Sequence, residues 1–137
     1  PLTEREAARL WALAYNTHDP TVLAPILAED VRVMSRWVIN DLVGRDGYLS
    51  YLEAKFRTFE DARTMVRAEI AETPGHGRSP GRPCVLIEQD GMLIATVLFD
   101  VVAGRLAQVT MSAHPAPATC DRTGEHPGLG FENDTVN

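Results

Sequence analysis

The sequence predicts an α+β fold, in which a cone-shaped, curved antiparallel sheet of about six strands wraps around three N-terminal helices. Two observations predict it. Apolar residues recur at helical spacing over most of the first 61 residues and at alternating positions beyond residue 63. Helices therefore dominate the first part and strands the second, an order typical of α+β domains. A sheet curved around a helix has one open end, where small-molecule sites are common.

The first helix begins with a capping box. Thr3 fits the N-cap position and Glu6 the third helical position, and apolar residues then follow one helical face as far as Tyr15. A second, short helix is predicted over residues 20–28. Pro25 lies beyond its first turn, so we expect it to be irregular or partly 3₁₀.

Two short strands and a third helix complete the first part. The strands are predicted at Val31–Val33 and Trp37–Val43, and the helix at about Arg45–Asp61. The buried stripe of this helix is predicted to consist of Leu49, Leu52, Phe56 and Phe59.

The second part of the chain alternates between strands and turns. A loop rich in glycine and proline occupies residues 73–83. The predicted strands are Thr64–Thr73, Cys84–Glu88, Met92–Val102 and Arg105–His114. We therefore assign residues 1–114 to a single domain. Residues 115–137 are rich in Pro, Gly and polar residues, and we expect an extended or disordered tail.

Composition narrows the possible partners. A chain of 137 residues fits one domain, and its net charge of -6 disfavours binding to nucleic acid or to an anionic membrane surface. No apolar run approaches the roughly 20 residues that span a bilayer, and the start lacks a secretory signal, so we expect a cytoplasmic location. Cys84 and Cys120 are expected to be free thiols. The four histidines are scattered, so no metal site is predicted.

Four segments carry a family resemblance: A-Y-N-T-H-D, L-A-P-I-L-A-E-D-V, L-V-G-R-D-G-Y-L and L-F-D-V-V-A-G-R-L-A-Q-V. Over residues 3–114 the chain resembles the nuclear transport factor 2-like superfamily, in its SnoaL-like and ketosteroid-isomerase-like branch. That superfamily includes isomerases, polyketide cyclases, epoxide hydrolases, dehydratases and non-catalytic binding modules, so the fold does not select a reaction. The resemblance implies a conical cavity, no cofactor, and a homodimer formed through the convex face of the sheet.

The isomerases of this branch use a carboxylate base and an oxyanion hole formed by a tyrosine and a protonated aspartate. By the resemblance, the tyrosine position falls on Trp11, the base on Ser35, and the second acid near Thr96. None of these residues keeps the required group, because indole and an unassisted hydroxyl are not acids or bases near neutrality. We therefore expect the standard isomerase mechanism to be absent.

Two other carboxylates are candidate catalytic residues. Asp41 and Asp100 each interrupt an apolar strand, and desolvation in a cavity would raise the pKa of either side chain into the range useful for proton transfer. The alternative is that each points to solvent. An Asp-Arg-Asp arrangement, as in limonene-type epoxide hydrolases, would need Arg36 between two acids.

Six residues are candidates for binding a flat apolar ligand, with core packing as the alternative role. They are Trp11, Tyr15, Trp37, Tyr48, Val109 and Met111. Two functions stay open. The chain binds a small, mostly apolar molecule without the standard isomerase machinery, or it is a cofactor-independent cyclase, isomerase, dehydratase or epoxide hydrolase that uses Asp41 or Asp100 as acid or base.

Overall fold

The structure is a computed structural model that describes residues 1–37 and 41–131. Over these ranges the chain forms two α-helices, two 3₁₀ turns, a seven-stranded mixed sheet and a small two-stranded sheet. The predicted α+β class is confirmed. Neither helix of the described ranges is long and apolar enough to cross a membrane.

Helix α1 spans Glu4–Thr17 and begins with the predicted capping box. The Glu6 amide donates to Thr3 Oγ1 at 3.1 Å, and the Thr3 amide donates to Glu6 Oε1 at 3.0 Å. These two bonds satisfy amides that no helical carbonyl can reach. The helix ends at His18, which adopts a left-handed conformation.

The predicted second helix is wrong in length, because the structure has a single 3₁₀ turn at Pro20–Val22. Asp19 caps this turn by accepting a 3.0 Å hydrogen bond from the Thr21 amide. Two effects keep the turn short. Pro25 cannot donate a helical hydrogen bond, and the Ile26 carbonyl accepts a 2.8 Å bond from the Leu106 amide, which holds the chain in the sheet.

The seven-stranded sheet is mixed rather than purely antiparallel. Its strands are β1 Leu27–Ser35, β2 Leu42–Val43, β3 Val66–Glu72, β4 Pro83–Gln89, β5 Met92–Val102, β6 Arg105–Ser112 and β7 Asp121–Arg122. Their order in the sheet is β2-β1-β6-β5-β4-β3-β7, and β1 runs parallel to β6, which corrects the prediction of an antiparallel sheet. Strands β1 and β6 are joined by β2, helix α2 (Arg45–Ala62) and β3–β5 rather than by a tight turn, so a parallel pairing is accessible. The predicted strand Trp37–Val43 is reduced to β2, and residues 38–40 lie outside the described residues.

The core lies between the concave face of this sheet and the two helices. Helix α1 packs across β3, β4 and β5, and helix α2, Arg45–Ala62, packs against β1. The largest fully buried side chains of the core include Trp11, Tyr48, Phe56, Phe99, Leu52 and Ile70.

Residues 115–131, which we call the C-terminal strap, extend the packed structure past the predicted boundary at residue 114. Cys120 lies on the convex face with Cys84, β7 (Asp121–Arg122) pairs with the edge strand β3, and a hairpin of β8 (Glu125–His126) and β9 (Gly130–Phe131) follows. Arg9 of α1 contacts Glu125 at 2.9 Å. The sequence predicts an extended or disordered tail here because its composition is polar, whereas the contacts that hold the strap are with distant residues.

Candidate functional site

The centre of the cone is filled by aromatic side chains. Trp11 and Tyr15, one turn apart on α1, stack with ring centroids 3.9 Å apart. Trp11 Nε1 donates a 2.8 Å hydrogen bond to the hydroxyl of Tyr48 on α2. Phe99 contacts the Trp11 ring edge to face, and Phe56 contacts the Tyr15 ring in the same way. Little room therefore remains in the deepest part of the cone.

Two connected cavities lie between this cluster and solvent. The inner cavity measures only about 20 Å³, and the outer one, which we call the mouth, measures about 290 Å³. The inner cavity is lined by Trp11, Tyr15, Val33, Ser35, Tyr48, Tyr51, Lys55, Val109 and Met111. The mouth is lined by Ser35, Trp37, Tyr51, Lys55, Gln89, Ile94 and Met111. Four residues are common to both linings, so the two spaces form one funnel.

Strand register determines which residues of the sheet line this funnel. Ser35 of β1 lies beside Met111 of β6, and Val33 lies beside Val109. Because side chains alternate along a strand, these four residues point into the cone. Met34, between Val33 and Ser35, points to the convex face instead.

Helix α2 supplies the opposite wall. Tyr51, Lys55 and Phe59 are four residues apart and therefore lie on one side of the helix. Lys55 Nζ lies 5.9 Å from the ring centroid of Tyr15 and 5.5 Å from that of Tyr51. These distances are within the range of cation–π interactions. A positive charge thus stands among aromatic rings where the inner cavity opens into the mouth.

Both buried tyrosines remain neutral under ordinary conditions. Burial raises the pKa of Tyr15 well above its ordinary value of 10.0, and the nearby Tyr48 raises it further. Burial also raises the pKa of Tyr48, although the hydrogen bond from Trp11 opposes this shift. The funnel therefore presents phenols that can donate a hydrogen bond and do not carry a negative charge.

All six predicted ligand-binding residues lie along the funnel. Trp11, Tyr15, Tyr48, Val109 and Met111 line the inner cavity, and Trp37 lines the mouth. Trp11, Tyr15, Tyr48 and Val109 also form part of the packed core, so their place in the lining is compatible with core packing.

Sequence reasoning did not include Tyr51 and Lys55 among the candidates, although both line the inner cavity and the mouth. The signal was available, because Lys55 lies one turn from both Tyr51 and Phe59 in the predicted third helix. The resemblance marks Ser35 only as the position of a missing base. Its hydroxyl accepts a 3.3 Å hydrogen bond from the Trp37 amide, which fixes it at the funnel wall.

The structure places both candidate catalytic carboxylates outside the funnel. The side chain of Asp41 is 37% exposed and pairs with Arg32 Nε at 3.2 Å. Asp100 lies on the convex side of β5, is 43% exposed, and pairs with Arg82 at 3.1 Å. Neither carboxylate is desolvated by the cavity, and the structure does not bring them together.

The three residues at the positions of the isomerase groups, Trp11, Ser35 and Thr96, do not lie in one site. Trp11 and Ser35 line the same cavity, but Thr96 lies on the convex face, where its hydroxyl donates a 2.6 Å hydrogen bond to the Pro115 carbonyl. Across the described ranges, no group of three or more His, Cys, Asp or Glu residues is arranged to hold a metal ion.

A larger groove of about 480 Å³ lies away from the funnel, and Val102 is part of its wall. Its lining contains two acids, Glu29 and Asp30, and two arginines, Arg45 and Arg105. Opposite charges on an open, solvated surface offset one another. We therefore regard the funnel, which is narrower and more aromatic, as the better candidate site.

Comparison with known proteins identifies the fold. No family model and no curated protein matches this chain. Among solved structures, a SnoaL-like protein of unknown function from Burkholderia thailandensis E264 aligns with a TM-score of 0.60 and 19% identity, covering 81% of this chain and 97% of that one. An NTF2-like protein of unknown function from Mesorhizobium loti aligns with a TM-score of 0.58 and 17% identity, covering 82% and 94%.

A candidate ketosteroid isomerase from Kribbella flavida DSM 17836 aligns with a TM-score of 0.56 and 19% identity, covering 80% of this chain and 76% of that one. At these identities the likeness concerns the fold and not the reaction. The chain therefore has the fold shared by SnoaL-like, ketosteroid-isomerase-like and NTF2-like proteins.

Proposed function

We propose that this protein binds a small, mostly apolar molecule in the mouth of its cone and does not use the acid–base machinery of ketosteroid isomerases. The observation that carries the proposal is the funnel itself. A space of about 290 Å³ opens beside Trp37, Tyr51, Ile94 and Met111, at the open end of a core that is otherwise filled.

The exposed rim supports this proposal. Trp37 is 55% exposed, Tyr51 40% and Ile94 39%, although each is a large hydrophobic residue. Exposed apolar residues that converge on one cavity are typical of binding sites, whereas isolated ones are normal on a surface. A ligand seated in the mouth would remove all three side chains from water.

The size of the mouth limits the ligand. A volume of about 290 Å³ lies at the lower end of the roughly 300–1,000 Å³ of small-molecule pockets. The Trp11–Tyr48 pair closes the deep end, so a ligand cannot penetrate far beyond Ser35 and Met111. We therefore propose a molecule of one or two rings rather than a steroid nucleus.

The enzymatic alternative receives less support. A general acid or base must reach the substrate directly or through one water molecule. Asp41 and Asp100 are held by arginines outside the funnel. Catalysis by either would need a substrate at the sheet edge or on the convex face rather than in the mouth.

A titration with methyl 2-naphthoate, a neutral two-ring probe, tests the proposed function. We expect saturable binding by isothermal titration calorimetry, weakened about fivefold by Ile94→Ser because contact area with the probe is lost. Val102→Ser is the matched control, since Val102 is an exposed aliphatic residue of the same strand that lines the separate groove. Absence of binding both by this ester and by the corresponding carboxylate, 2-naphthoate, or loss of binding only in the Val102 variant, would contradict the proposal.

For the assembly we propose a homodimer formed through the part of the convex face that the strap leaves open. There Met34 lies beside Thr110, and Leu98 lies on the other side of Thr110. All three side chains are only partly buried in the single chain. Sedimentation velocity at micromolar concentration should show a dimer that Met34→Glu dissociates. A monomeric parent protein would rule the dimer out.

A further inference from the structure

We propose that the mouth selects a flat aromatic molecule carrying a carboxylate, with the ammonium group of Lys55 as the partner of that carboxylate. The inference rests on the proposed function, because it specifies the chemistry of the ligand at the same site. It follows from the environment of Lys55, the polar groups of the lining and the aromatic rim.

Lys55 is the only lysine among the 137 residues. Its ammonium group lies 5.5–6.0 Å from the ring centroids of Tyr15, Tyr51 and Phe59. In the described part of the chain no ion pair joins it to a carboxylate, whereas eight of the arginines there do form such pairs. A positive charge kept beside a cavity without an acidic partner favours an anionic ligand.

The polar lining points the same way. The described residues that line the inner cavity and the mouth contribute hydroxyls, two indole N–H groups, one amide and one ammonium group, and none of these residues is acidic. At the rim, the guanidinium of Arg36 lies 5.8 Å from the ring centroid of Trp37 and adds a second positive charge. A carboxylate can accept hydrogen bonds from such donors, while a cation would meet two like charges.

The shape of the mouth selects a flat molecule. Trp37 and Tyr51 provide ring surfaces at its edge, with Ile94 and Met111 as apolar contacts. Aromatic ligands stack on such rings or meet them edge to face. The apolar part of the ligand would lie against this surface, and its carboxylate would reach Lys55, which belongs to both the mouth and the inner cavity.

The experiment compares two probes that share the naphthalene ring and differ in charge and in one methyl group. 2-Naphthoate carries the carboxylate, and methyl 2-naphthoate carries a neutral ester. We expect the parent protein to bind 2-naphthoate about tenfold more tightly than the ester, which corresponds to one charge-assisted hydrogen bond at a partly exposed site. This preference should decline with added salt, because the ion pair is reached by solvent.

Substitution of Lys55 supplies the second arm. Lys55→Met should weaken 2-naphthoate binding about tenfold and leave ester binding within about twofold, since Met keeps the apolar stem and removes the charge. Lys55→Arg should keep most of the preference. Arg57→Met is the matched control, because Arg57 lies on the same helix and its loss changes the net charge equally, but it points to solvent and pairs with Glu53.

The outcomes separate the inference from the proposed function. Equal affinity for both probes in the parent protein would overturn the carboxylate preference and leave the binding function intact. The same conclusion follows if Lys55→Met weakens both probes equally, because Lys55 would then act through its stem alone. Failure of both probes to bind would contradict the proposed function itself.

Discussion

The indole Nε1 of Trp11 and the hydroxyl of Tyr48 are joined by a 2.8 Å hydrogen bond at the centre of the cone. Both side chains are almost completely buried, and the bond ties α1 to α2. It also explains why the cavity is shallow, since the two rings occupy the space beneath Ser35 and Met111. Core stability and the depth of the site therefore depend on the same pair.

The Trp11–Tyr48 pair can be tested by a double-mutant cycle. Trp11→Phe and Tyr48→Phe should each lower the free energy of unfolding, because each leaves a buried polar group without its partner, at a cost of about 1–3 kcal/mol. The double variant should be more stable than the sum of the two losses predicts. Urea denaturation measures all four free energies, and strictly additive losses would contradict an energetic bond between the two residues.

Alkaline pH should destabilise the fold through the buried phenols. The pKa of Tyr15 and of Tyr48 is raised above the ordinary value of 10.0, mainly by burial. The two neutral phenols make their full contribution to the free energy of unfolding below about pH 10. This contribution is lost as the pH rises further, because the unfolded chain releases these protons first. The free energy of unfolding should fall above pH 10, and the fall should be smaller in Tyr15→Phe. Phenolate absorbance from all three tyrosines at pH 10, with the fold intact, would contradict burial of these phenols.

Docking of the strap against the sheet is predicted to depend on Glu69. Arg122 donates to its carboxylate at 2.6 and 3.0 Å, and the Gly124 amide donates at 3.0 Å. Burial alone would raise the pKa of Glu69, but these hydrogen bonds and the charge of Arg122 outweigh it, so the pKa is lowered. The stabilisation of the fold by ionised Glu69 is therefore present at pH values above 4.5, the ordinary pKa of this group, and is lost as the pH falls below that value.

Glu69→Gln should weaken docking of the strap by about 2 kcal/mol, because it removes the charge opposite Arg122. Cys84 reports on docking: burial, with Cys120 beside it, raises the pKa of this thiol to about 12, so it should resist alkylation near neutral pH. We expect faster alkylation of the thiols in Glu69→Gln. Glu53→Gln is the control, since Glu53 lies on α2, away from the strap, in an exposed pair with Arg57. Equal rates in both variants would show that Glu69 does not hold the strap.

Asp41→Asn and Asp100→Asn should leave the affinity for 2-naphthoate within about twofold of the parent value. Each carboxylate is paired with an arginine outside the funnel, and exposed pairs contribute little. Calorimetric titration of both variants checks this expectation. A large loss of affinity in either would place that carboxylate at the ligand and revive the acid–base alternative.

Much of the fold could be predicted from local patterns. The capping box at Thr3 and the alternation in Met92–Val102 gave helix and strand positions that the structure confirms. The parallel pairing of β1 with β6 could not be predicted in this way, because it depends on contacts between distant segments. The second helix was predicted too long because its spacing was helical, although Pro25 and the bond to Leu106 keep it to one turn.

The site was predictable in its apolar part. Large aromatic and apolar residues on the predicted helices and strands pointed to the funnel, because such side chains must face the interior. The orientation of Asp100 could have been inferred from alternation, since Val97 and Phe99 belong to the core. Docking of the strap could not, because Glu69 and Arg122 are 53 residues apart and neither lies in a pattern that indicates the other.

The central claim is that the mouth of the cone is the binding site, and methyl NMR of the four methionines tests it most directly. Met111 lines the funnel, whereas Met34 lies on the neighbouring strand and faces the opposite side of the sheet. Titration with 2-naphthoate should shift the Met111 methyl resonance in a saturable manner and leave that of Met34 unchanged. A shift of Met34 with no change at Met111 would contradict the account.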